Sequence, residues 1–145
     1  MSAPTRHASC VALEGRGLLI LGRSGAGKST LALELIALGA TLVADDRVAL
    51  ERRGGALFAR APHALEGMIE ARGLGILRMP FLPEAAVALA LDLDAAPEGR
   101  SPPARSLTLL GAPVPLLSRS EPLRPAAIAA ALRWGPPLDP DAPPP

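Results

Sequence analysis

Aromatic residues are nearly missing from this chain: no tyrosine, one tryptophan and two phenylalanines among 145 residues. A core must therefore be built from Leu, Val, Ile and Ala, and a hydrophobic fraction of 49% is enough to build one. The basic residues are scattered, not interleaved with aromatics, and the net charge is only +1, which argues against a nucleic-acid partner. Cys10 is the single cysteine, so an intramolecular disulfide and a thiolate metal cluster are both excluded. No apolar run reaches the roughly 18 residues of a membrane span, and no secretory leader is visible. A cytoplasmic protein without a membrane partner is the expectation. The scarcest charged residue is lysine. Lys28 is the only one, and every other basic residue except the two histidines is arginine.

That lysine lies in the stretch around which the chain is organised. Leu18–Leu21 is a short unbroken apolar run, as a buried strand would have. It leads into Gly22-Arg23-Ser24-Gly25-Ala26-Gly27-Lys28-Ser29, a complete G-x-x-x-x-G-K-[ST] pattern. Thr30 follows, and the leucines after it predict a helix apolar almost all round and largely buried, stopped by Gly39. Glycines without Cβ let backbone N–H groups approach a phosphate, and the helix N-terminus points more of them at the same place. Lys28 adds an ammonium for the β- and γ-phosphates, and the Ser29 hydroxyl suits Mg²⁺. Thr41–Ala44 predicts a second buried strand, ending in Asp45-Asp46. Either carboxylate, at the end of a strand neighbouring the loop strand, is placed to complete a metal site.

The rest of the chain does not alternate strand and helix simply. His7–Leu13 and the loop strand form a hairpin across Glu14-Gly15-Arg16-Gly17. Val48–Glu51 and Ala56–Arg60 form another across Arg52-Arg53-Gly54-Gly55. Ala61–Glu66, with Pro62 and His63, is a loop or a helical turn. If Met68–Arg72 is extended, Glu70 and Arg72 share a face, as a nucleotide-site element or as a plain cross-strand ion pair. Gly73 and Gly75 let backbone come close to something, or mark a bulge. Val87, Leu89, Leu91 and Leu93 alternate as a strand, and Ala95–Ala104 is a mobile loop. Ser106–Leu110 and Val114–Leu117 make a hairpin across Gly111-Ala112-Pro113. Pro125 opens a last helix to about Arg133. The expected organisation is one catalytic domain over 1–134 and a Pro-rich, disordered tail over 135–145.

The phosphate loop, the run Leu42-Val43-Ala44-Asp45-Asp46-Arg47-Val48, the run Ile69-Glu70-Ala71-Arg72-Gly73-Leu74-Gly75-Ile76 and the upstream His7 together resemble the catalytic domain of bacterial HPr kinase/phosphorylase. The resemblance covers roughly His7 to Leu117. It implies an α/β P-loop domain with a mixed, partly antiparallel sheet, related to phosphoenolpyruvate carboxykinase. It implies ATP and Mg²⁺ as cofactors, HPr or an HPr-like phosphocarrier as protein substrate, and a homo-oligomer, usually a hexamer. By the same resemblance Gly22 to Thr30 bind the nucleotide phosphates and Lys28 contacts the transferred group. Ser29 and Glu70 hold Mg²⁺, His7 lines the site, and Arg72, Gly73, Leu74 and Gly75 belong to the catalytic surface. Asp46 is implied as the proton-transferring carboxylate. Adjacent strand-end residues do not share a face, so Asp45 is assigned to the metal or its waters. A catalytic arginine is expected in the late loop, at Arg100 in preference to Arg105.

Two departures bear on activity. The family's separate N-terminal domain is expected to be missing, as in a short form resembling the kinases of alphaproteobacteria. Ser118–Pro125 lacks the family's Pro-x-x-Gly-Arg-Asn-like segment, so phosphate-dependent dephosphorylation is expected to be weak. Two other functions fit the same loop. One is a kinase for a small molecule or another protein. The other is a non-catalytic nucleotide sensor, against which Asp46 argues.

Overall fold

The computed structural model describes residues 4–97 and 105–138. Eleven strands and two helices run in the order β1 Thr5–Arg6, β2 Ala8–Leu13, β3 Arg16–Leu21, α1 Lys28–Ala37, β4 Thr41–Ala44, β5 Val48–Arg53, β6 Ala56–Arg60, β7 Met68–Ala71, β8 Gly75–Arg78, β9 Ala85–Asp92, β10 Arg105–Leu109, β11 Ala112–Leu117 and α2 Pro125–Trp134. A single 3₁₀ turn, His63–Leu65, precedes β7.

Nine strands form one mixed sheet in the path β1-β5-β6-β9-β3-β2-β4, with β10 and β11 attached through β9. The loop strand β3 is central. It pairs antiparallel with β2 along its whole length and parallel with β9. Gly17 makes the second pairing possible: a Cβ there would meet the Ala86 carbonyl oxygen at 2.8 Å. The far edge of β9 is divided. Its start pairs with β6 at Ala85 and Ala86, and its end pairs parallel with β11 at Ala90 and Leu91. The sheet therefore forks at β9.

Both faces of the central strands are buried, which explains the unbroken apolar run at Leu18–Leu21. Leu19 and Leu21 face a core built mainly from strands, with Cys10, Val43, Leu50 and Val114. Leu18 and Ile20 face the helices, with Leu31, Leu35, Leu89, Ile128 and Leu132. No tyrosine or tryptophan side chain takes part, as the composition requires.

Helix α1 is less enclosed than its leucines predict. Leu31, Ala32 and Leu35 are buried, Leu33 and Ile36 are half-buried, and Leu38 is 47% exposed. The helix rests on the sheet, on α2 and on β7, whose buried Ile69 shares the core of Leu31 and Leu35. Gly39 stops it as expected, with φ +110 and its N–H bonded to Ile36. The last hairpin turns at Leu110-Gly111, so β11 begins at Ala112, two residues earlier than predicted. Arg72 lies beyond the end of β7, in the turn to β8. Among the described residues no helix is long and apolar enough to cross a membrane.

Candidate active site

The loop Gly22–Gly27 leaves the C-terminal end of β3 and turns directly into α1. Gly27, at φ +103, is the last residue before the helix. No acidic side chain occupies the first turn of α1, which keeps its N–H groups open to an anion. Lys28 is 6% exposed, and its Nζ donates to the carbonyls of Gly22 at 2.7 Å and Arg23 at 2.9 Å. The ammonium is thus folded back across the mouth of its own loop, aimed where a phosphate would be cradled.

The acidic pair comes from β4, but β4 is next but one to the loop strand. The β2–β3 hairpin inserts β2 between them. This corrects the expectation of a direct neighbour, and it brings in a residue the sequence reading missed. Asp45 is 5% exposed and is met by three donors. Ser9 Oγ donates to Oδ1 at 2.6 Å; Ser29 Oγ lies 2.7 Å from Oδ1 and 2.9 Å from Oδ2; the Glu70 backbone N–H donates to Oδ2 at 3.1 Å. Ser9 is fully buried on β2. The signal for it was present: a polar residue inside the apolar run of β2 needs a partner.

Asp46 is placed differently. It has φ +70, and the Arg47 N–H bonds to the Asp45 carbonyl at 2.8 Å, closing a tight three-residue turn with Asp46 at its apex. Turns of this hand are rare and strained, and aspartate tolerates the left-handed region better than most residues. The turn swings the Asp46 side chain away from Asp45 and out to solvent, where His7 Nε2 lies 2.9 Å from its Oδ1. Two adjacent carboxylates thus face two environments, one buried and saturated with donors, the other exposed and paired with an imidazole.

Other expected positions divide. Ser29 joins Asp45. Glu70 joins through its backbone, while its side chain is exposed. Among the described residues no three His, Cys, Asp or Glu side chains gather as ion ligands on their own. The oxygen donors Ser29 and Asp45 are nonetheless the hard ligands Mg²⁺ accepts. A serine hydroxyl that gives its proton to Asp45 also leaves lone pairs for a cation. Arg72, Gly73 and Leu74 form the tip of the β7–β8 hairpin. Nothing lies within 4 Å of a Cβ built on Gly73 or Gly75, so these are turn glycines, at φ +88 and +120, and not points of close approach. Ser24, Gly25 and Thr30 are exposed around the loop; Ala26 is half-buried. Arg105 opens β10, and Arg100 lies outside the described residues. An open cavity of about 550 Å³ adjoins the loop, with His7, Gly22, Arg23 and Asp94 in its wall.

The family model described as HPr Serine kinase C-terminal domain matches residues 2–82. The chain belongs to that family. The HPr kinase/phosphorylase of Clostridium tetani is 49% identical over 76 residues, which are 52% of this chain and 25% of that protein. That of Geobacillus thermodenitrificans is 41% identical over 102 residues, 63% of this chain and 33% of the relative. The chain spans about a quarter to a third of the length of such curated relatives. Among solved structures, the Hpr(Ser) kinase/phosphatase from Coxiella burnetii superposes with a TM-score of 0.74 at 28% identity, covering 88% of this chain and 92% of that one. Family membership thus rests on the segment from β1 to just before β9, which contains the loop, Asp45-Asp46 and the β7–β8 hairpin. The structural likeness extends over most of the chain.

Proposed function

We propose that this chain is an ATP- and Mg²⁺-dependent kinase for a serine of HPr or an HPr-like phosphocarrier. The observation that carries the reading is the separation of roles at the end of β4: Asp45 locked onto Ser29, and Asp46 turned out beside His7. Family membership supports the same reading. The nucleotide phosphates would lie in the loop, on the N-terminus of α1, with Lys28 transferring its two carbonyl contacts to phosphate oxygens. Ser29 and Asp45 would hold Mg²⁺, which supplies charge neutralisation at the β- and γ-oxygens.

Asp46 accepts the proton of the incoming serine hydroxyl as the serine oxygen bonds to the γ-phosphorus. The bond from that phosphorus to the β-bridging oxygen breaks, and ADP leaves. The hydrogen bond from His7 orients the Asp46 carboxylate and exposes its second oxygen to the acceptor. A late-loop arginine, Arg100 or Arg105, stabilises charge on the transferred group. The remaining expectations join this proposal: a single catalytic domain over 1–134, a carboxykinase-like nucleotide fold, a cytoplasmic location and a hexamer.

The test uses purified chain, purified HPr, ATP and Mg²⁺, with Lys28→Ala as the blank. Phosphoserine on HPr, absent with the blank, is the expected result. Turnover of ATP with a metabolite but not with the carrier points to a small-molecule kinase. ATP binding with no transfer to any acceptor points to a sensor. Because Ser118–Pro125 lacks the family's C-terminal segment, inorganic phosphate should release pyrophosphate from phosphorylated HPr much more slowly than the kinase step runs. A rate matching the forward step contradicts that expectation.

A further inference from the structure

Asp94 lies two residues past the end of β9, remote in sequence from the phosphate loop, yet it grips the loop's second residue. The Arg23 backbone N–H donates to Asp94 Oδ2 at 2.8 Å, and Arg23 Nη1 donates to Oδ1 at 3.1 Å. Both carboxylate oxygens are therefore committed to one residue. Asp94 is itself held, its N–H donating to Asp92 Oδ1 at 2.9 Å. The Leu93 N–H bonds to the Leu21 carbonyl at 2.8 Å, so the β3–β9 pairing continues up to the loop. The loop begins so close to this segment that a Cβ on Gly22 would meet the Leu93 Cβ at 3.2 Å and the Ala26 Cβ at 3.1 Å.

The opposite side of the same residue carries the other half of the arrangement. The Arg23 carbonyl accepts from Lys28 Nζ at 2.9 Å and from the Ala26 N–H at 3.1 Å. Arg23 is thus pinned through its N–H by Asp94 and through its carbonyl by the ammonium that serves the phosphates. An N–H bonded to a carboxylate gains the stronger, charge-assisted kind of hydrogen bond. A carboxylate beside a phosphate site would otherwise repel the ligand, and its ion pair with the Arg23 guanidinium offsets that repulsion.

We propose that Asp94 is a positioning residue for the nucleotide: it fixes the mouth of the phosphate loop through Arg23 and so presets the cradle into which Lys28 points. This rests on the reading of the loop as a phosphate cradle. Its function is geometric, because a loop that must be ordered at the moment of binding binds more weakly.

The experiment measures ATP binding by calorimetry and steady-state transfer to HPr for wild type, Asp94→Asn and Asp94→Ala, with thermal unfolding of each chain alongside. Asp94→Ala should raise the ATP Kd and KM about tenfold while kcat stays within about twofold, with the unfolding midpoint near that of wild type. Asp94→Asn keeps an oxygen acceptor for the Arg23 N–H and should stay within about threefold of wild type. Equal or tighter ATP binding by Asp94→Ala overturns the inference, as does an Asn variant no better than the Ala variant. If wild type itself binds no ATP, the phosphate-cradle reading fails and the inference with it. That outcome is distinct from a wild type that binds and variants that match it.

Discussion

A serine with no exposed surface, in a strand of apolar side chains, must find a partner for its hydroxyl. Ser9 finds Asp45, and the bond decides which of two adjacent carboxylates stays buried. Ser9→Ala removes one of three donors from that carboxylate. It should cost about 1–2 kcal/mol of stability and raise the Mg²⁺ needed for half-maximal activity several-fold. Denaturant unfolding and a Mg²⁺ titration measure the two effects; a variant unchanged in both contradicts the role given to Ser9. Cys10, next in the strand, points into the other core, where burial pushes its thiol from 9.0 up to about 12. Native chain should therefore resist iodoacetamide at pH 8 and react once unfolded. The folded state holds the thiol proton more tightly than the unfolded state does. Its contribution to stability is thus complete below pH 9 and declines as pH rises from 9 towards 12. A Cys10→Ala chain should lack that alkaline decline in denaturant unfolding. Lys28, Ser29, Asp46 and His7 were readable from motif spacing or resemblance. Asp94 was not, and Ser9 was signalled only as a polar residue in an apolar strand. Ser9 acts only because the β2–β4 pairing sets it beside Asp45. Asp94 meets Arg23 only through the parallel β3–β9 pairing.

At the scale of elements, hairpins with glycine turns were legible because their signals are local. Parallel pairing carries no such signal, so neither the union of β3 with β9 nor that of β11 with β9 was foreseen. The enclosure of α1 was overestimated for a related reason. A leucine count gives the apolar area of a helix but not how much of it a neighbour covers. Helix α2 supplies part of that cover from a distant part of the chain, with Ile128 and Leu132 in the same core as Leu31 and Leu35. Leu132 is fully buried, so Leu132→Ala should cost about 2–5 kcal/mol in denaturant unfolding. A loss well under 1 kcal/mol would mean that α2 is not part of the folded unit that carries the loop. The β7–β8 hairpin also packs on α1, through Ile69, but its tip does not. It pairs only with itself and leaves Leu74 82% and Ile76 65% exposed, while its Glu70 N–H reaches Asp45. It therefore links an exposed tip to the centre of the site.

At the scale of the molecule, the sheet brings three distant segments to one end of β3. The loop comes from β3 itself, the carboxylates from β4 across β2, and the Asp94 clasp from β9 on the other side. At that end Asp45 is held by protein donors, the Ser9 and Ser29 hydroxyls and the Glu70 N–H. The division between the two carboxylates is the claim on which the functional account stands. Its most direct measurement is the rate of phosphoserine formation on HPr at saturating ATP and Mg²⁺, comparing wild type with Asp46→Asn. Asparagine tolerates the positive φ of that turn and keeps a hydrogen-bond acceptor for His7, so fold and ATP affinity should persist. The account predicts a fall in transfer rate of about 10²–10⁴-fold with ATP binding unchanged. An Asp46→Asn chain that phosphorylates HPr at the wild-type rate would contradict it.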